Sequence, residues 1–494
     1  MTMAAHRTVT ALGKICKIVA AGLAGVLGAM LAPGLLAAQD LDLGSRRELF
    51  VDRYLIERMQ GVELRLGTPV DAGAVLALDK PWEGAFSAYF TVLRDGGSFR
   101  LYYRGVPKAG GDGRSEEVAC TAESKDGIRW SRPELDLYPR DGARTNIVLA
   151  GNAPLSHNFS PFIDTRPGVP ARERYKALAG IASSGLVAFA SEDGYRWRKL
   201  RDTAVIPAPQ KSALDSQNVA FWSEAEQCYV SYFRTWHPVA GTGYRWISRA
   251  TSKDFLAWSE PREMTFGDAP PEHLYTNQTA PYFRAPHIYV AIAARFFPGK
   301  QVLTEEQARA VRVDPQYFKD CSDAVLLTSR GGSRYDRIFL EGFLRPGTGW
   351  ENWVSRSNYP ALNVVQTGPA EMSLYVARNY GQPTIHLRRY VLRLDGFASV
   401  HAGYAGGEFT TRPLRFRGSK LELNFATSAA GSVRVEILDT GGAVLAESVE
   451  MAGDEIAHEV AWKAGASVGG LTDRPVRVRC MLKDADLYAL RFHD

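Results

Sequence analysis

Between residues 87 and 378 the apolar positions come in pairs of short runs joined by a turn, and the pair recurs five times. The five are "SAYFTVLRDGGSFRLYYRG" (87–105), "SPFIDTRPGVPARERYKALAG" (160–180), "NVAFWSEAEQCYVSYFRT" (218–235), "TAPYFRAPHIYVAIAAR" (279–295) and "YPALNVVQTGPAEMSLYVAR" (359–378). Their β-branched and aromatic residues suit extended chain, so each reads as a β-hairpin. A second hairpin follows each first one: "VACTAESKDGIRWS", "LVAFASEDGYRWRK", "WISRATSKDFLAWSE", "AVLLTSRGGSRYDRI" and "LRRYVLRLDGFASV". Asp-Gly or a near equivalent stands at its bend, where a tight turn needs positive φ. Four antiparallel strands, five times over at intervals of roughly 60 to 80 residues, predict a five-bladed β-propeller with one sheet per blade.

Flanking segments differ. "ELFVDRYLIE" (48–57) is strand-like, and a propeller commonly closes its ring by letting a terminal strand complete the last blade. "TEEQARAVRV" (304–313) is the one good helical pattern, an insertion in the fourth blade. From about 405 the chain alternates apolar and polar residues over short strands such as "GSVRVEILD" and "PVRVRCMLKDADLYALRFHD", as a half-buried antiparallel sandwich does. The expected organisation is an all-β chain with a propeller over 39–404 and a β-sandwich over 405–494.

Residues 1–38 stand apart from both. Arg7, Lys14 and Lys17 precede "IVAAGLAGVLGAMLAPGLLAA", and polar sequence begins at Gln39-Asp40. A basic start, an apolar run and small residues before a polar junction describe a secretory signal peptide; Pro33 and the closing Ala-Ala favour cleavage over a retained anchor. An exported protein, periplasmic or extracellular and free of the membrane after cleavage, is expected. The 59 basic and 54 acidic residues are spread without a polybasic run, which argues against nucleic acid as partner. Cys120, Cys228, Cys321 and Cys480 are far apart with no Cys-x-x-Cys pair, so buried free thiols are expected and one disulfide stays open. No zinc spacing, nucleophile elbow or P-loop is present. No cofactor is called for beyond a structural cation that the funnel could hold.

"SKDGIRWS" (124–131) returns as "SEDGYRW" (191–197) and "SKDFLAW" (252–258). It resembles the Asp-box of sialidase-like propellers, in which Ser and Asp bond the turn backbone and Trp packs between blades. The bend that carries it joins third and fourth strands, so it should lie on the face opposite the funnel. That makes Asp126, Trp130, Asp193, Trp197, Asp254 and Trp258 structural.

The funnel is instead lined by residues just before each first strand and just after each second one. Before the first strands stand Trp82-Glu83, His157-Asn158, Asp215-Ser216-Gln217 with Asn218, the run Glu272-His273-Leu274-Tyr275-Thr276-Asn277, and Arg356-Ser357-Asn358. At the ends of the second strands stand Arg104, Arg234, Arg295 and Arg378, the last followed by Tyr380. Carboxyl groups delivered to one axis could cleave a glycosidic bond, one as acid and one as base or nucleophile. The arginines suit a carboxylate or sulfate, so an acidic sugar is one reading; equally they could bond the funnel carboxylates and lower their pKa. Glu371 follows the bend of its hairpin and should sit on the wrong face.

Five blades followed by a β-sandwich resemble the invertase, levansucrase and arabinanase superfamily of glycoside hydrolases, families 32 and 43 among them. "ELFVDRYLIE", "LYTNQTAPYFRAPHIY", "GPAEMSLYVARNYGQPTIHLRRY" and "KDADLYALRF" resemble more closely a group of exported bacterial proteins labelled glycosyl hydrolase-like. Where that group often has a second acid this chain has Arg53, and the Asn-Asp-Pro-Asn-Gly, Arg-Asp-Pro and Glu-Cys motifs of the invertases are missing. The resemblance implies an exported glycosidase acting on an oligo- or polysaccharide. Asp215 would be the transition-state-stabilising carboxylate, Glu272 the general acid and Glu83 the base or nucleophile. A sugar-binding propeller without chemistry, and a sialidase-like enzyme using Tyr275 or Tyr380, stay open beside it.

Overall fold

The structure, a computed structural model, describes residues 40–494, so the expected signal peptide lies outside the described residues. Five sheets follow one another along the chain. The first is built on Ala88–Asp95, Ser98–Gly105, Val118–Ser124 and Ile147–Leu149. The second runs Ser160–Ile163, Tyr175–Ala179, Val187–Ser191 and Arg198–Lys199, and the third Val219–Ser223, Cys228–Val239, Thr242–Ser252 and Arg262–Glu263. The fourth joins Thr279–Tyr282, Ala285–Phe297 and Cys321–Ser329 with His273–Thr276. The fifth is built on Tyr359–Pro360, Glu371–Arg378 and His386–Arg393. All pairs within these sheets are antiparallel, and the expected propeller of five blades is what they form.

The ring closes at both edges of the fifth blade. On the axis, the first strand of blade one meets the first strand of blade five at Thr91 and Leu362. Gln217 ties the centre together by donating to Thr91 Oγ1 (2.7 Å), while its Oε1 accepts from Gln278 (2.7 Å). On the outside, Val70–Ala77 from the chain start pairs with His386–Arg393. "ELFVDRYLIE" is therefore not the closing strand. Arg47–Leu49 pairs with Arg477–His493 and Ile56–Gln60 with Gly407–Thr411, with a bent segment between. That bend places Glu48 and Asp52 on Arg330 of blade four at 2.7 and 2.9 Å, a grip that regular strand alternation could not form.

The three Asp-boxes repeat one geometry. Asp126 Oδ1 accepts from Ser124 Oγ (3.0 Å) and from the amides of Ile128 and Arg129 (2.8 Å each). Asp193 does the same with Ser191, Tyr195 and Arg196, and Asp254 with Ser252, Leu256 and Ala257. Backbone donors at Arg129 and Ile128 hold the Asp126 carboxyl down at about 2. Trp197 packs edge-on against Phe159, and Trp130 against Tyr375 of the neighbouring blade. In blade one Ser124 pairs with Phe99, at the far end from the Arg104–Ala119 pair, so this motif is on the face away from Arg104.

Beyond the propeller a nine-stranded sheet combines strands from 47–66 with strands from 398–493, around a core that includes Leu43, Phe50, Phe416, Leu423, Val478 and Phe492. Residues 47–66 thus belong to the same β body as the strands from 398–493. Asp395, fully buried, fastens it to blade four by accepting from Tyr282 Oη (2.8 Å) and from Asn424 (2.9 Å). The helix is Glu305–Ala310, opened by a capping box in which Thr304 and Gln307 satisfy each other's amides. Its loop carries Tyr317 back to the funnel, against Tyr380 (5.5 Å between ring centres). No helix among the described residues is long and apolar enough to cross a membrane.

Candidate functional site

Asp215 is presented by a strained turn. Leu214 before it takes φ 65°, a conformation costing a side-chain-bearing residue about 1–3 kcal/mol, so other bonds must hold it. Asn158 supplies them, donating to the carbonyls of Leu214 (2.9 Å) and Ser216 (2.7 Å). Asn218 donates to the same two carbonyls at 2.9 and 3.1 Å. The carboxylate so held accepts from Arg234 Nη2 (2.6 Å) through Oδ2. Its Oδ1 faces His157 Nε2 at 3.6 Å and has no hydrogen-bond partner among the described residues. About a third of the side chain, 32 %, is open to solvent.

A second carboxyl stands beside it. Asp112 lies in the loop after the second strand of blade one, with Oδ1 3.8 Å from the same His157 nitrogen and half its surface exposed. Gly113 sets this approach. It takes φ +73°, and a Cβ there would come within 2.4 Å of Pro154, so only glycine fits. His157 itself is enclosed, with Nδ1 2.9 Å from Glu117 Oε2 and Arg104 Nη1 at 3.2 Å.

These neighbours push the two carboxyls apart in proton affinity. Burial opposes ionisation of Asp215, but Arg234 and His157 outweigh it and hold its carboxyl far below the ordinary range. Asp112 is raised by burial and by the Asp215 charge. His157 is raised as well: burial and Arg104 act against its proton, and the nearby Asp215 and Glu117 carboxylates prevail. The site thus sets a carboxylate, a carboxyl that holds its proton more tightly than usual, and an imidazole of raised proton affinity beside one another. One ligating atom each of Asp112, His157 and Asp215 lies within 4.8 Å of the others, a spacing that could hold a cation. Arg234 and Arg104 already occupy that neighbourhood with positive charge, which disfavours one.

Rings and guanidiniums form the rest of the wall. Tyr89, at φ 59° in a bulge of the first strand, lies under Arg104 (4.7 Å), edge-on to His157. Arg234, Arg245 and Arg356 each place their guanidinium carbon 5.0 to 5.4 Å from the ring of Tyr275. Half-buried Trp236, Tyr244 and Tyr317 stand around them.

The other expected site residues divide by what they touch. Glu83 is fully buried, gripped by Arg132 (2.7 Å through both oxygens) and by Tyr103 Oη (2.5 Å); it has no surface to offer a substrate, which removes it as base or nucleophile. Glu272 pairs with Arg295 (2.7 Å) and Arg337 (3.1 Å), and Arg295 also holds Asp323 (2.6 Å). No hydrogen bond or ion pair among the described residues joins Glu272 to Asp215. Trp82 donates to Asn146 (2.8 Å) inside blade one. Asn277 bonds the Tyr232 carbonyl and the Thr279 amide, and Asn358 the Ser322 and Asn352 carbonyls. With Asn158, Asn218 and Gln217 these amides hold the scaffold. Arg378 donates to Pro346 O (3.0 Å) and borders a cavity of about 620 Å³ away from Asp215, lined also by Arg65, Asp71 and Tyr390. His273, lowered by burial and by Arg245, accepts the Arg245 amide and packs on Tyr244. Tyr380 faces Phe86, Tyr317 and the Arg356 guanidinium. Glu371 pairs with Arg389 at the opposite end of its strand.

Tyr89, Asp112, Glu117, Arg245 and Tyr317 were not expected. Asp112 and Glu117 follow the second strand of blade one, seven or more residues beyond its end at Gly105, in the loop that the same topological rule assigns to the funnel. Arg245 rises on a hairpin longer than its pattern suggested, since Cys228–Val239 and Thr242–Ser252 run past the funnel rim.

No family model matches this chain, and neither does any curated protein. Among solved structures it is similar to a family 43 arabinoxylan arabinofuranohydrolase from Bacillus subtilis, at 11% identity over 84% of this chain and 97% of that one, with a TM-score of 0.40. An N-acetylgalactosamine deacetylase from F. plautii is 12% identical over 68% and 96%, with a TM-score of 0.43. A β-1,2-mannobiose phosphorylase from Listeria innocua is 12% identical over 64% and 91%, with a TM-score of 0.40. At these values the activity must be read from the funnel's own residues.

Proposed function

We propose that this protein is an exported carbohydrate-active enzyme that cleaves a glycosidic bond at the funnel, with Asp112 as proton donor and Asp215 as the carboxylate that meets positive charge at the sugar. One observation carries the reading: two half-open carboxyls share one histidine, and their surroundings drive their pKa values in opposite directions. Glycoside cleavage needs that division of labour between a protonated acid and an ionised partner. Asp112 takes the acid role expected of Glu272. Asp215 keeps the role that the family resemblance implied. His157 is a positioning residue, bonded to Glu117 behind and facing both carboxyls in front. Half-exposed rings of Trp236, Tyr244 and Tyr317 supply faces on which a sugar can stack. Export rests on the leader-like segment 1–38.

The test is release of reducing sugar from a panel of aryl glycosides and polysaccharides by the wild type, Asp112→Asn and Asp215→Asn. The wild type should cleave at least one, and each variant should lose about 10²-fold or more, the scale of one acid–base group. Equal release by all three removes the assignment. A binding propeller without chemistry is the second reading, favoured by the Arg234 contact that ties one Asp215 oxygen. It predicts sugar binding with no release by any form.

A further inference from the structure

Arginines in this funnel fall into two groups. Arg104, Arg234 and Arg295 have acceptors: the Phe86 carbonyl, Asp215, and Glu272 with Asp323. Arg245 and Arg356 have none. Among the described residues neither forms an ion pair, the Arg356 side chain makes no hydrogen bond, and the Nε of each is enclosed without an acceptor. Arg234 adds an enclosed Nε and Nη1 in the same condition. All three guanidiniums face one ring, Tyr275, at 5.0, 5.2 and 5.4 Å. Arg356 is held there by a backbone at φ 59°, a further strained position that other bonds must maintain.

Arg245 and Arg356 are half-buried, and enclosing the Nε of each, with Nε and Nη1 of Arg234, without an acceptor carries part of the cost of an uncompensated buried charge. Aromatic faces at about 5 Å offset only part of that cost, about 0.5–2 kcal/mol each. The missing component is an anion with several acceptor oxygens. Asp215 bonds Arg234, and among the described residues no hydrogen bond or ion pair joins it to Arg245 or Arg356.

We infer that Arg234, Arg245 and Arg356 form a subsite for the anionic group of an acidic sugar, a carboxylate or sulfate carried next to the bond that Asp112 and Asp215 act on. Planar guanidinium forks match such oxygens in pairs, and rings around them admit the sugar body. This rests on the proposed glycoside chemistry for the position of the bond, but not for the binding itself.

Two measurements test it without turnover. First, titration calorimetry with glucuronic acid, galacturonic acid, galactose 6-sulfate, the matching neutral sugars and inorganic sulfate. At least one acidic sugar should bind about 10-fold or more tighter than its neutral counterpart, and Arg245→Met with Arg356→Met should bring that ratio to near one. Uronate and sulfated-sugar arms separate the two anions. Equal affinity for acidic and neutral sugars, an unaltered preference in the variants, or inorganic sulfate binding as tightly as any sugar overturns the inference. Second, urea unfolding without ligand. Removing a half-buried, unpaired charge should leave the midpoint of each variant unchanged or raised, whereas arginines that hold the scaffold would lower it. If acidic sugars bind but no glycoside is cleaved, the catalytic reading fails and this subsite stands. If a neutral glycan is cleaved and uronates bind no better, the reverse holds.

Discussion

Glu83→Gln separates a structural acid from a catalytic one. Glu83 is fully buried and bonds Arg132 through both oxygens at 2.7 Å, Tyr103 at 2.5 Å and the Lys80 amide at 3.2 Å. Gln keeps the shape and one acceptor but removes the charge and aims an NH₂ at Arg132. Losing one partner of a buried pair costs about 3–5 kcal/mol. Arg132 keeps 18 % of its surface and has Asp79 at 3.4 Å, so hydration and a weaker partner return some of this. The expected loss is about 2–4 kcal/mol, or about 1 M in the urea midpoint for an m value of about 3 kcal/mol per M. Tryptophan fluorescence during urea unfolding reads it, and sugar release per mole of folded protein should stay within about twofold of the wild type. Undiminished stability with release lost a hundredfold would refute the reasoning and return Glu83 to the active site.

Asp193→Ala removes an acceptor of four hydrogen bonds in the second Asp-box; stability should fall by about 1–3 kcal/mol with sugar affinity untouched, seen by urea unfolding beside calorimetry. His157 holds its proton more tightly folded than unfolded, so the stability it adds is complete below the ordinary imidazole value of about 6.5 and is lost as pH rises through the raised folded value. An NMR titration of its ring should therefore give a midpoint above 6.5, and one below would contradict the network around it. Cys120, Cys228, Cys321 and Cys480 are free, and burial pushes all four thiols up, so none should react with a thiol reagent until the chain unfolds.

The ring was legible because each blade writes its own period into the chain: apolar runs, a turn and, in three of them, an Asp-box whose hydrogen bonds are local. Asp215 was legible for the same reason, standing at a fixed offset before a first strand. What could not be read was pairing at a distance. Glu83 and Glu272 occupy positions like that of Asp215, yet Arg132 and Arg337, 49 and 65 residues further along, enclose them. Asn158, Asn218, Asn277 and Asn358 stood at the right place but face inward, because the first turn of each blade leaves carbonyls that need a donor. Asp112 lay in a loop without periodicity, and only Gly113 signalled its turn. "ELFVDRYLIE" alternates like a strand, but the burial of Glu48 and Asp52 against Arg330 breaks its pairing.

The division of labour between Asp112 and Asp215 is tested most directly by leaving-group dependence. Asp112→Asn should be compared with the wild type on two aryl glycosides of the sugar released in the screen, one with a dinitrophenol leaving group and one with a simple phenol. A proton donor is needed only when the departing oxygen is a poor leaving group. The account predicts near wild-type kcat/KM on the dinitrophenyl glycoside and a loss of about 10²-fold or more on the phenyl one. An equal loss on both, or no loss on either, contradicts it.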